Sequence, residues 1–109
     1  MSVVSKTIKY LLDKNISVST AESCTGGLLA AEFTAVSGIS KIYKTGLITY
    51  SNDSKIKNLK VKPSTIKRYG AVSRQVCAQM CLHLHKISKS QLTFSTTGVA
   101  GPNLSLIHI

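Results

Sequence analysis

Apolar residues at the start of the chain return at three- and four-residue intervals. Val4, Ile8, Leu11 and Leu12 share one side, with Lys6, Lys9, Asp13 and Lys14 elsewhere, which predicts an amphipathic helix over residues 2–14 closed at Asn15. Residues 16–21 then alternate and are β-branched, predicting a short strand. Past Glu22, the turn Ser23-Cys24-Thr25-Gly26-Gly27 leads into Leu28-Leu29-Ala30-Ala31 and on to Ala35, expected to be a mostly buried helix. Ser37-Gly38 breaks it, and after a linker through Lys44 the segment 45–50 has the composition of a second strand. Residues 51–54 suit the cap of a short helix carrying Ile56 and Leu59, and Pro63 suits the first turn of another that stops near Gly70. Ser73 is placed to cap a longer helix in which Val76, Cys77, Met80, Cys81, Leu84 and Ile87 recur. Residues 92–96 predict a third strand running into Thr97-Gly98-Val99-Ala100-Gly101-Pro102. Strands and helices that alternate without repeats imply an α/β domain, a largely parallel sheet flanked by helices.

Composition bounds what such a domain does. At 109 residues there is room for one core, and 43% hydrophobic residues argue against disorder. No apolar run approaches the roughly 20 residues of a membrane-spanning helix, and no signal-peptide core follows Met1, so the expectation is a cytoplasmic protein without membrane attachment. Three cysteines make no disulfide framework. Fourteen Lys and Arg against four Asp and Glu give a formal charge of +10, which alone would suggest a polyanion as partner. The cations are scattered, however, with one dense run at Lys55, Lys57, Lys60, Lys62, Lys67 and Arg68, and aromatics are only 6%, so nucleic acid is not the expected partner.

In a parallel sheet, ligands collect at the carboxyl ends of strands, and all three predicted strands end in small polar residues beside glycines. At the first, Ser23 stands on the turn between strand and helix, and the first helical amides can hold an anion. That geometry suits a serine nucleophile with an oxyanion hole or a phosphate-binding loop, and a plain helix cap has the same composition. At the second, Tyr50 and Lys55 can project into one cleft, where a lysine of lowered pKa serves as a general base; an edge tyrosine and a surface lysine fit the same residues. At the third, Thr97 offers a hydroxyl and Gly98 a flexible backbone.

The segments Thr20-Ala21-Glu22-Ser23-Cys24-Thr25-Gly26-Gly27-Leu28, Thr49-Tyr50-Ser51-Asn52 with Lys55, Gly70-Ala71-Val72-Ser73 and Thr97-Gly98-Val99-Ala100-Gly101-Pro102 closely resemble the CinA C-terminal domain family. Its members include nicotinamide-nucleotide amidases, which hydrolyse nicotinamide mononucleotide to nicotinate mononucleotide and ammonia. The resemblance implies a metal-free, cofactor-free serine amidase with a small-molecule nucleotide as substrate. In it Ser23 is the nucleophile, Tyr50 and Lys55 activate it and relay protons, and Thr97 with Gly98 lines the site. Thr25, Gly26 and Gly27 would contact substrate through backbone amides, which stabilise the oxyanion or hold the nucleotide phosphate. No His-Asp pair is placed to activate the serine, since His83 and His85 fall on the long helix. The cations after Lys55 are expected to depress its pKa and attract the phosphate.

Several alternatives remain open in the sequence. Cys24 adjoins Ser23 and is the stronger intrinsic nucleophile. Cys77, Cys81 and His85 repeat every four residues, as part of a metal shell would, but one helix supplies only part of such a shell, so core cysteines are expected. The role of Glu22 is undetermined. Family members also form the C-terminal half of longer competence- and damage-inducible proteins, which leaves a non-catalytic binding module as the other reading and a homo-oligomer open for the intact protein. Past Pro102 the chain departs from the family pattern, and Leu104 to Ile109 reads as a translation of the transposon-end adapter CTG TCT CTT ATA CAC ATC. The expectation is one amidase domain over residues 1–103 with its C-terminal part missing, and a non-native tail over 104–109. Expressed as written, such a chain is expected to be poorly soluble or inactive.

Overall fold

A computed structural model describes residues 2–98 and the backbone of 107–108. The first helix, α1 (Val3–Asp13), begins where the Ser2 hydroxyl accepts from the Ser5 amide at 3.1 Å and buries Ile8 and Leu11. It ends at Lys14, after which Asn15 takes a left-handed φ of 56° and turns the chain into the sheet. Strand β1 (Val18–Glu22) is buried at all five positions. It is the central strand, with β2 (Tyr43–Ile48) and β3 (Leu92–Ser95) parallel on either side in the order β2-β1-β3. A central parallel strand is covered on both faces, so the polar side chains of Ser19, Thr20 and Glu22 are enclosed with the apolar ones.

Helices cover both faces. Alternation along β1 sends Val18 to one side, where Ile8 and Leu11 of α1, Phe33 of α2 (Leu28–Thr34), Ile39 and Ile42 form one core. Ala21 points the other way, to a second core built from Leu59 of α3 (Asn52–Leu59), Val61, and Val76, Met80 and Leu84 of α5 (Arg74–Ser88), with Ile66 of α4 (Pro63–Tyr69) packed against it. The predicted α/β architecture with a parallel sheet is therefore the observed one. Each capping expectation holds: the Ser51 hydroxyl accepts from Ser54 N at 3.0 Å, Pro63 opens α4, and the Ser73 hydroxyl accepts from Val76 N at 3.2 Å.

Two expectations need correction. Helix α2 is not mostly buried: only Phe33 is, while Leu28 is 68% exposed, because α2 lies on the outside of the sheet and presents one stripe inward. The second strand spans 43–48 rather than 45–50. Its register opposite β1 ends at Glu22 and Ile48, and Thr49 N closes the ladder on Glu22 O at 2.8 Å before Ser51 starts the next helix. Beyond β3, a two-residue strand β4 (Thr97–Gly98) pairs antiparallel with β5 (Ile107–His108). The Val99-Ala100-Gly101-Pro102 part of the third loop lies outside the described residues, as do the side chains of the tail. Among the described residues no helix is long and apolar enough to cross a membrane.

Candidate active site

The carboxyl ends of β1 and β2, the first turn of α3 and the start of β4 surround a cleft of about 250 Å³ lined by Ser23, Cys24, Tyr50, Asn52, Lys55, Ala71, Val72, Thr97 and Gly98. Six of the residues singled out in the sequence thus meet in one place: Ser23, Cys24, Tyr50, Lys55, Thr97 and Gly98. Ser23 directly follows β1 and is 5% exposed. Thr97 is held by its hydroxyl, which donates to Ala71 O at 2.8 Å and so ties the third loop to the Gly70-Ala71-Val72-Ser73 segment. No site role was read for Ala71 and Val72 in the sequence, yet both line the cleft.

Lys55 is the unusual group. It sits four residues before Leu59 on the inward stripe of α3 and is 2% exposed, although Lys57, Lys60 and Lys62 around it are open to solvent. Its ammonium donates to Tyr50 O at 3.1 Å. Burial pushes the Lys55 pKa below its ordinary 10.5, while the neighbouring Cys24 acts in the opposite direction. The depression comes from desolvation and not, as the sequence suggested, from the run of cations. Tyr50 contributes its carbonyl to Lys55; its side chain is 66% exposed, and among the described residues its hydroxyl makes no hydrogen bond. Asn52, which sequence reading quoted only inside a motif, lines the cleft from the first helical position of α3.

Thr25, Gly26 and Gly27 do not line the cleft. Gly26 and Gly27 adopt φ of 59° and 105°, which lets the chain reverse between β1 and α2 without a Cβ in the way. The Gly26 amide is spent on Ser23 O at 3.0 Å and the Leu28 amide on Thr25 O at 3.1 Å, closing the turn itself. The helix terminus of α2, one of the places the sequence left open for an anion, has its next amides taken by this chain. Glu22, 1% exposed, accepts Leu29 N at 2.8 Å and Ala30 N at 3.0 Å, so a carboxylate from the preceding strand takes the amides that an anion would use.

Cys77 and Cys81 are half-buried and belong to neither core, unlike the core cysteines the sequence suggested. Their sulfurs lie 3.0 Å from Ser95 Oγ and Thr93 Oγ1, pinning α5 to β3, and no cluster of potential metal ligands occurs among the described residues.

The comparisons agree with this fold. The family model described as the CinA C-terminal domain matches residues 1–106. A relative from Clostridium novyi (strain NT), provisionally named a competence-damage inducible protein, is 52% identical over 95 residues, which is 87% of this chain and 23% of its own length. The chain thus spans about a quarter of that curated relative. The crystal structure of the competence/damage inducible protein CihA from Agrobacterium tumefaciens superposes with a TM-score of 0.86 at 36% identity, over 94% of this chain and 67% of that one. A CinA superfamily protein from Escherichia coli superposes with the same TM-score, 0.86, at 32% identity, over 94% of this chain and 59% of its own.

Proposed function

The chain belongs to the CinA C-terminal domain family, and from that premise we propose that its cleft is the centre of a serine amidase that hydrolyses the carboxamide of nicotinamide mononucleotide to nicotinate mononucleotide and ammonia. One observation carries the reading: a serine at a strand end shares a 250 Å³ cleft with a lysine that is sealed from solvent. A serine hydroxyl is a poor nucleophile at neutral pH, and a lysine whose pKa burial lowers is the base the cleft offers.

In the proposed reaction Ser23 Oγ attacks the carboxamide carbon and its proton passes to the neutral Lys55 amine, with the Tyr50 hydroxyl as the relay. The tetrahedral intermediate collapses by breaking the C–N bond, and the departing nitrogen takes the proton from Lys55 and leaves as ammonia. Water then attacks the Ser23 ester, giving up a proton to Lys55; the bond to Ser23 Oγ breaks, Lys55 returns that proton to the serine, and the acid leaves and ionises to the carboxylate in solvent. Asn52 offers a polar side chain to the substrate from the first turn of α3, and Thr97 lines the cleft from β4 with its hydroxyl proton held by Ala71 O. The nucleotide phosphate is met by the exposed cations following Lys55, since Glu22 occupies the terminus of α2. The enzyme is proposed to work in the cytosol.

Ammonia release from nicotinamide mononucleotide tests this, using the protein of the genomic reading frame that contains these residues with the 109-residue chain alongside. Ser23→Ala is expected to lower kcat by about 10⁴-fold or more. Turnover that survives Ser23→Ala removes the serine mechanism. Absent turnover combined with salt-sensitive DNA binding favours the non-catalytic module instead.

A further inference from the structure

Alternation along β1 divides the work of two adjacent residues. Val18, Thr20 and Glu22 face α1 and α2, whereas Ser19 and Ala21 face α3, α4 and α5. One residue further, Ser23 opens into the cleft beside Lys55 while Glu22 reaches the opposite way to the start of α2. The buried Glu22 carboxylate accepts three bonds: from Leu29 N at 2.8 Å, from Ala30 N at 3.0 Å, and from the Thr25 hydroxyl at 2.7 Å. Thr25 Oγ1 also lies 2.9 Å from Thr96 Oγ1. A threonine has one hydroxyl proton, and that of Thr25 is committed to the carboxylate, so Thr96 must be the donor in the second contact. The proton order is therefore fixed: Thr96 donates to Thr25, and Thr25 donates to Glu22.

Each end of this line is the neighbour in sequence of a cleft residue. Glu22 precedes Ser23, and Thr96 precedes Thr97. Thr96 is itself 2% exposed and anchored by its amide to Ala21 O at 3.0 Å. The line therefore fixes the spacing between the two lips of the cleft from behind, without touching its contents. We propose that Glu22, acting through Thr25 and Thr96, is the positioning residue of the active site: it holds Ser23 and Thr97 at the separation the reaction needs. This rests on the serine amidase reading above. A displacement of about 1 Å at a reacting group costs on the order of 10²-fold in rate, which is the scale on which such a clamp acts.

The test measures kcat per site, with sites counted by fluorophosphonate labelling of Ser23, in the same reading-frame protein. Thr25→Val and Thr96→Val keep size and shape and remove one hydroxyl each. Each is expected to lower kcat by about 10- to 100-fold with KM changed by less than about threefold, and to leave the pH midpoint of activity where it is. The double variant is expected to lose no more than the worse single one, because both break the same line. Glu22→Gln retains one carbonyl oxygen and should keep more kcat than Glu22→Ala. Should Glu22→Ala fail to fold, the two valine variants still decide the matter. Labelled, folded valine variants with parental kcat, losses that multiply, or losses confined to KM overturn the positioning role and leave the amidase reading intact. A parent that neither releases ammonia nor takes the label overturns the amidase reading itself.

Discussion

Lys55 and Leu59 stand one turn apart on the same buried stripe of α3, at 2% and 0% exposure, so an ammonium occupies a place where the packing of the helix would favour an apolar side chain. A cation in that position is a cost to the fold, and the cost is what readies it for chemistry.

Replacing it with an apolar chain of similar length should therefore stabilise the protein and silence it. Lys55→Met is expected to raise the unfolding free energy by roughly 1 kcal/mol at neutral pH and to remove ammonia release. The parent should also show a pH dependence that the variant lacks. Burial holds the folded-state pKa of Lys55 below the unfolded value of 10.5, so the unfolded chain binds this proton more tightly. Stability is then lowest below the folded pKa and rises as pH climbs from there towards 10.5. Chemical denaturation across that window checks the sign; a parent whose stability falls there contradicts it, provided the tyrosines are corrected for with Lys55→Met as reference.

Lys55→Arg separates charge from proton transfer. A guanidinium keeps the positive charge but does not release its proton at any working pH. The expected loss in kcat is about 10²- to 10⁴-fold, and the acid limb of the rate profile, with its midpoint below 10.5 in the parent, should vanish. An arginine variant with parental turnover would assign the base to another group.

Cys24 shares the cleft with Ser23 and is half-buried, which makes the choice of nucleophile testable by two substitutions. Cys24→Ala is expected to retain ammonia release within about tenfold, whereas Ser23→Ala loses it. Iodoacetamide should nevertheless inhibit the parent and spare Cys24→Ala, because an added group on that sulfur fills part of a 250 Å³ space. The opposite pattern, an inert Cys24→Ala beside an active Ser23→Ala, would make this a thiol enzyme.

Local signals carried most of the fold. Ser51 and Ser73 act as the helix caps their sequence announces, and the β-branched runs became the three parallel strands. What stayed hidden depends on which side of a neighbour a residue lies. Lys55 looks like the first member of a solvated charge run, and only its four-residue offset from Leu59 hints that it turns inward. Glu22 shows the same limit: its three bonds reach residues three to eight positions away around a glycine turn, a geometry no periodicity encodes. The α2 terminus resembled an empty anion site in the sequence because the residue that fills it belongs to the preceding strand.

The edge strand offers a stability test remote from the cleft. Gly46 on β2 has no space for a side chain: a Cβ there would collide with the Tyr43 hydroxyl and sit 3.1 Å from Thr20 Oγ1. Those two oxygens are themselves joined at 2.6 Å, a cross-strand bond between β1 and β2 beneath the stack of Tyr43 on Phe33. Gly46→Ala must push the tyrosine aside, at a cost of about 1–3 kcal/mol. Tyr43→Phe removes the obstructing oxygen and leaves the Thr20 hydroxyl without that partner, at a cost of about 1 kcal/mol. Combined, the two changes should cost less than their sum by about 1 kcal/mol, because the clash and the bond belong to the same oxygen. Denaturation midpoints of the parent, both single variants and the double variant measure that coupling, and strictly additive costs would show that Gly46 is required for some reason other than the Tyr43 hydroxyl.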